Sequence, residues 1–304
     1  LNTEVLRAHR EGLRRLAELQ EKIGWSAEAT IRGAIGNLRD VGALEKRRTD
    51  GARNAVATAL TPVGEEMLTV PEALEDWLRR CPKGPIAIDD GNVKVAVKAL
   101  AEGWNSTLMR AIASSPLTLT ELSGLIQDVS YPGLERRVSW MRATGQISAL
   151  PKEARGTPYV PTDWLRRAIA PLAVASRCER RNLDDAPPIT DIEVETAFLL
   201  ALPLVRLPRT ARGSCLLASR TDAASGGEEG PGLAGTAVEV VDGKIVSSTV
   251  TVARKPATWA IGTAGVWLDA LIDGRFEALR VGGVNPQLAL DLVQSLHFAV
   301  FIDP

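Results

Sequence analysis

The chain is poor in the residues that usually announce chemistry. Three cysteines and two histidines are all that its 304 residues hold of thiol and imidazole side chains. Cys81, Cys178 and Cys215 lie far apart, which excludes a disulfide framework and a zinc ribbon. They read as buried reduced thiols, so the expected compartment is reducing, hence cytoplasmic. His9 and His297 have no triad-like partner nearby and read as surface or partly packed side chains. No His-Glu-x-x-His pattern is present. Gly226-Gly227 is not followed by the Lys-Ser/Thr of a phosphate loop, and Gly262-Thr263-Ala264-Gly265 is not a nucleophile elbow. No catalytic residue, metal site or cofactor is expected, and an enzyme is not the expected class.

Long apolar runs are missing too. None reaches the roughly 18 residues of a membrane span; Val194 to Leu207 is interrupted by Glu195, Pro203 and Arg206. Arg7, Arg10, Arg14 and Arg15 precede no continuous apolar region, so no secretory signal is expected. A bulk basic footprint is absent, since the net charge is −1. The distribution says more than the total. Residues 1–60 carry 11 basic and 8 acidic side chains, 61–90 carry 3 and 7, 91–185 carry 13 and 9, and 186–304 carry 9 and 13. Two cationic blocks therefore alternate with two anionic ones.

What is present is helical periodicity that repeats. Residues 1–24 read as two helices broken near Gly12, and Gly24 reads as a stop. Ser26 then caps a helix to about Gly42, with Ile31, Ile35, Leu38 and Val41 inward. Extended segments at 43–48 and 55–61 flank the turn Thr49–Asn54. Thr61-Pro62 opens a further helix. The same order follows from a helix over Val93–Ser115, a short one over Thr120–Gln127, and one capped by Ser130 and ending at Gly145. Hairpin arms at 146–150 and 157–161 come next, then a helix capped by Thr162. Ile31, Ile35, Leu38 and Gly42 lie 103 residues before Leu134, Val138, Met141 and Gly145, and Thr61 lies 101 before Thr162. The reading is an internal duplication of helix, helix, helix, hairpin, helix. A polar linker at 182–190 leads to an α+β segment. It has strands at 213–220, 235–241 and 245–254, helices at 258–271 and 286–301, and a short extended piece at 279–281.

In a winged helix-turn-helix the third helix enters the major groove and the wing touches the DNA backbone or minor groove. The first copy places Thr30, Arg32, Asn37 and Arg39 on that helix, and Lys46, Arg47, Arg48 and Arg53 on the wing. The three consecutive wing cations cannot all face a core, because strand residues alternate sides. The second copy supplies Tyr131, Arg136 and Arg137, with Lys152 and Arg155 in its wing; Glu135 and Glu153 dilute it.

Gly103-Trp104-Asn105-Ser106-Thr107-Leu108 through Leu134-Glu135-Arg136-Arg137-Val138 to Tyr159 resembles the HxlR-type winged-helix regulators. That family opens with a Trp-Thr-Leu-Leu helix and has a Leu-x-x-Arg-Leu recognition helix. Its common N-terminal cysteine is not evident here, which argues against cysteine redox sensing. Residues 191–304 resemble the sterol-carrier-protein-2 fold in Val238–Val246, Trp259–Leu271, and Leu279–Gly283 running into Leu288-Ala289-Leu290. That resemblance implies an apolar tunnel. Phe198, Leu202, Trp259, Trp267, Phe276, Leu292, Leu296 and Phe298 are the candidate lining, with ordinary core packing as the alternative.

The expected architecture is thus multidomain: two mainly α winged helix-turn-helix repeats (1–88 and 89–183), followed by an α+β, sterol-carrier-protein-2-like domain (184–304). The expected function is a ligand-responsive DNA-binding transcriptional regulator that senses a hydrophobic small molecule. Its expected partners are double-stranded DNA, that ligand and a second copy in a homodimer, with a monomer spanning two half-sites as the other arrangement. The competing function is a protein that sequesters a hydrophobic small molecule for self-resistance and uses the repeats as scaffold.

Overall fold

The computed structural model describes residues 1–12, 14–48, 56–88, 90–103, 106–127, 129–151, 156–183, 185–220, 232–250 and 257–302. The chain is mixed α/β. It runs α1 (Asn2–Arg10), α2 (Leu16–Ile23), α3 (Glu28–Asp40), β1 (Leu44–Arg48), β2 (Val56–Leu60), α4 (Pro62–Arg79) and α5 (Gly91–Gly103). There follow α6 (Ser106–Ser114), α7 (Leu119–Leu125), α8 (Tyr131–Thr144), β3 (Ile147–Ala149), β4 (Tyr159–Pro161), α9 (Asp163–Arg167) and α10 (Ile169–Asn182). The last part holds α11 (Asp191–Ala201), β5 (Gly213–Arg220), β6 (Leu233–Val241), β7 (Lys244–Val250), β8 (Thr258–Thr263), α12 (Ala264–Asp273), β9 (Arg280–Gly283) and α13 (Pro286–His297). Two compact units result: Leu1–Leu74 with Val174–Ala186, and Glu75–Ala173 with Pro187–Pro304.

The 103-residue offset holds bond by bond. Arg15 and Thr118 each occupy the N-cap of the second helix of a copy, and Glu18 and Glu121 each return a carboxylate to that residue's amide at 2.9 Å. Val5, Leu6 and His9 answer to Leu108, Met109 and Ile112; Leu19 to Leu122; Ile31 to Leu134; Leu38 to Met141. All of these are buried. After the third helix the Ala43 amide donates to the Leu38 carbonyl and the Gln146 amide to the Met141 carbonyl, both at 2.8 Å. This closure needs a left-handed residue between, supplied by Gly42 (φ +74) and Gly145 (φ +86). Past the hairpin the offset becomes 101. Thr61 donates its hydroxyl to the Gly42 carbonyl at 2.6 Å, and Thr162 to the Gly145 carbonyl at 2.8 Å. Leu44 pairs with Leu60 and Ile147 with Pro161. The isolated bridges Arg14–Thr58 and Leu117–Tyr159 obey both offsets. The two-residue difference therefore falls in the hairpin connection, where no core position is displaced.

Three expected helices take other forms. Val93–Ser115 is two elements, α5 and α6, and Trp104 lies outside the described residues. The helix after Thr162 breaks at Ala168 into α9 and α10. The span 258–271 begins as β8 and becomes helical only at Ala264. Its Thr-Trp-Ala-Ile run suits a strand. Thr263 then caps α12, accepting from the Val266 amide at 3.4 Å.

Strands β5 to β9 form one sheet in the order β7-β6-β5-β8-β9. β5 pairs parallel with β8, and the other neighbours are antiparallel. Cys215, Leu217, Val238, Val240 and Ala260 turn one face into a core shared with α11, α12 and α13. The first unit has its own core around Val5, Leu19, Ile31, Leu38, Leu44 and Leu68. Among the described residues no helix is long and apolar enough to cross a membrane.

Candidate nucleic-acid interface

Helix α3 is set by the turn before it. Gly24 takes φ +63 and ends α2. The chain then re-enters helix with Ala27 as N-cap, not Ser26, and no side-chain cap bond forms. Ile31, Ala34 and Leu38 anchor the buried stripe, while Val41, expected inward, is exposed because the helix closes at Asp40. Thr30, Arg32, Asn37 and Arg39 all lie on the exposed side. Arg32 donates to the Glu28 carboxylate one turn earlier at 2.5 Å.

In β1 only Leu44 is buried; Glu45, Lys46, Arg47 and Arg48 are exposed. On its far edge β2 is bridged to Arg14 and buries Ala57 and Thr58, so it is the β1 side of the hairpin that stays open. Arg47 holds the Glu45 carboxylate two residues back, with Nε at 2.8 Å and Nη2 at 2.5 Å. Such an exposed pair contributes little to stability, roughly 0–1 kcal/mol, and yields readily to a competing anion. Arg53 lies outside the described residues.

In the second copy Ser130 caps α8, accepting from the Gly133 amide at 3.4 Å. Tyr131 and Arg136 are exposed and Arg137 is half-buried. The arms β3 and β4, Ile-Ser-Ala and Tyr-Val-Pro, carry no charge. The wing cations Lys152 and Arg155 lie outside the described residues. Sequence reasoning passed over Trp140, 40% exposed, whose ring has the Lys98 ammonium at 5.7 Å and the Arg136 guanidinium at 6.0 Å from its centre. The Arg136–Trp140 spacing of four on a helix was the available signal.

His9 is not a surface residue. It is buried between α1 and β2, its Nδ1–H donating to the Val5 carbonyl (2.6 Å) and its Nε2 facing the Thr58 hydroxyl at 2.7 Å. Val5 offers only an acceptor, so the proton sits on Nδ1, and Nε2 of the neutral ring accepts from Thr58. Burial lowers the imidazole pKa, against the hydrogen bond to Val5 and with help from Arg14. The three thiols are free and buried, and burial pushes Cys215 up to about 12.

The candidate ligand residues divide. Phe198, Leu202, Trp267, Leu292 and Leu296 pack against one another in the core beneath the sheet. The rings of Phe198 and Trp267 meet edge to face at 4.9 Å, and the Trp267 indole donates to the Ala218 carbonyl at 2.8 Å. Trp259 is half-buried over Gly282. Phe276 is half-buried, its ring centre 6.0 Å from that of the His297 imidazole, which also has the Phe301 ring at 6.4 Å. Phe298 opens the π-helical turn Phe298–Ile302 and is exposed. Among the described residues no group of three or more His, Cys, Asp and Glu side chains is placed to hold a metal. No family model matches the chain, and no curated protein matches it.

Proposed function

We propose that the chain is a cytoplasmic DNA-binding transcriptional regulator. In this reading residues 1–88 and 89–183 are winged helix-turn-helix repeats, and 184–304 is a sterol-carrier-protein-2-like domain that senses a hydrophobic small molecule. The observation that carries it is β1. Lys46, Arg47 and Arg48 are three consecutive exposed cations on a hairpin fastened directly to the end of α3, whose own exposed side bears Thr30, Arg32, Asn37 and Arg39. Backbone phosphates suit the hairpin, and base edges suit amide and guanidinium groups on a helix.

The ligand-sensing part rests on the apolar interior of the last unit. Five of its candidate residues already fill space against one another, so a ligand would enter from Trp259, Phe276 and Phe298, which retain exposure. Such a ligand changes operator affinity only if it binds the DNA-competent and incompetent states differently. A homodimer matches paired half-sites.

Fluorescence anisotropy with duplexes from the promoter region upstream of the chain's own gene tests the reading, run across a salt series with the wild type and R47A/R48A. Tight, salt-steep binding that the double variant weakens for all sequences supports it. Absence of duplex binding at low salt overturns it. Mass spectrometry of the purified protein before and after denaturation examines the ligand.

A further inference from the structure

Helix α5 lies immediately before α6, which answers to α1 under the 103-residue offset. It is fastened to the end of α8. Gln146 is fully buried and donates its side-chain amide to the Ala96 carbonyl at 3.0 Å, and Ala96 and Leu100 are buried with it. That leaves Lys94 and Lys98 exposed, four residues apart and therefore on one face of α5.

This face meets the exposed side of α8. Lys98 from α5 and Arg136 from α8 both stand over the ring of Trp140. The aromatic ring attracts both cations, so two charges from two helices are gathered around one indole instead of sampling solvent freely. Less order is then lost when an anion binds them. Together α5 and α8 carry five basic residues against two acidic ones, although the whole chain is nearly neutral. Lys94 and Lys98 follow one another about 6 Å apart along the helix axis. They form a row and do not converge on a single small anion. A row of cations matches a chain of phosphates.

We propose that α5 and α8 form a second phosphate-contacting surface for duplex DNA, with Lys94, Lys98 and Arg136 on the backbone and Trp140 positioning two of them. The proposal rests on the DNA-binding reading above and adds Lys94, Lys98 and Trp140 to it.

The test uses the full chain, a labelled duplex and the same length of single strand, each titrated over a salt series. The variants are K94A/K98A, W140A, W140F and R47A/R48A. Both lysines are exposed, so their removal leaves the fold intact, as circular dichroism will verify. With both lysines on phosphates, K94A/K98A lowers duplex affinity for every sequence and flattens the log affinity–log salt slope by about 1.8, at about 0.9 per lost contact. W140A weakens binding and W140F restores it. An unchanged slope and affinity in K94A/K98A, with R47A/R48A still defective, removes this surface and leaves the first copy's interface standing. No duplex binding by the wild type removes both. Tighter binding of the single strand than of the duplex overturns the proposal in favour of base stacking on Trp140.

Discussion

The indoles of Trp77 and Trp164 lie face to face, ring centres 4.4 Å apart and planes 4° from parallel. Each ring nitrogen donates to the other residue's main-chain carbonyl, Trp77 Nε1 to Trp164 at 2.8 Å and Trp164 Nε1 to Trp77 at 2.7 Å. Both carbonyls belong to the last turns of their helices, α4 and α9, and that of Trp77 also accepts from the Arg80 amide at 3.1 Å. One stacked pair thus satisfies two indole N–H groups and adds a donor at each of two helix ends. Trp164→Ala is expected to cost about 3–5 kcal/mol, as for other large aromatic truncations. Trp164→Phe keeps an aromatic ring but removes one of the two donors to the Trp77 carbonyl, the Arg80 amide remaining, for about 0.5–1.5 kcal/mol. Urea unfolding of the two variants measures the difference.

The equivalent glycines after the third helices are expected to respond unequally to alanine. Both have positive φ, and a left-handed alanine costs roughly 1–2 kcal/mol. At Gly42 an added Cβ meets nothing within 4 Å, whereas at Gly145 it comes within 2.9 Å of the Pro82 ring. Gly145→Ala is therefore the more destabilising of the two, and thermal melts will rank them.

Acid weakens the first unit through His9. Its folded pKa lies below the ordinary histidine value of about 6.5. Above that value the ring is neutral in both states and its contribution is complete. As pH falls below it, the unfolded chain takes up the proton first and stability drains away until the folded pKa is passed. His9→Ile, the residue type found at the matching position 112, removes this dependence between pH 8 and 5. The Thr58 hydroxyl can turn to the Arg14 carbonyl, 3.3 Å away. Paired melting curves at the two pH values decide it.

Cys215 is expected to be inert while the protein is folded. With a pKa pushed to about 12 by burial, on the order of one thiol in 10,000 is ionised at pH 8, and only the thiolate reacts. Labelling with a disulfide-exchange reagent should require denaturation; modification of Cys215 under native conditions contradicts the buried placement.

On α3, Asn37→Ala and Arg32→Ala are expected to alter which duplexes are preferred, since amide and guanidinium groups read base edges. R47A/R48A lowers affinity without changing the preference. Selection from a random duplex pool, wild type against each variant, separates the two effects.

Much of the helical half was legible because burial repeats with the helix period, as at Ile31, Leu38, Leu134 and Met141, and because Ser130 and Thr162 are strong caps. The 103-residue offset was readable for the same reason: the same positions bury in both copies. Other features depend on partners distant in the chain. Periodicity cannot tell that Thr258–Thr263 is a strand, since that is decided by pairing with β5 and β9. His9 looks like a surface residue until Thr58, far along the chain, supplies its partner. The cationic candidates on α3 and β1 were readable from residue type and alternation. Lys98 and Trp140 were not, because their meeting requires α5 to fold back on α8.

The parallel pairing of β5 with β8 has a consequence during synthesis. Until Thr258–Thr263 emerges from the ribosome, β5 has a neighbour only on the β6 side, and the backbone N–H and C=O groups on its other edge, along a strand with five consecutive buried positions, are left unpaired. A chain truncated before that point would offer other chains a ready template, as unguarded edges do. Strand β8 is thus a built-in cover, and nascent chains would need shelter until it arrives.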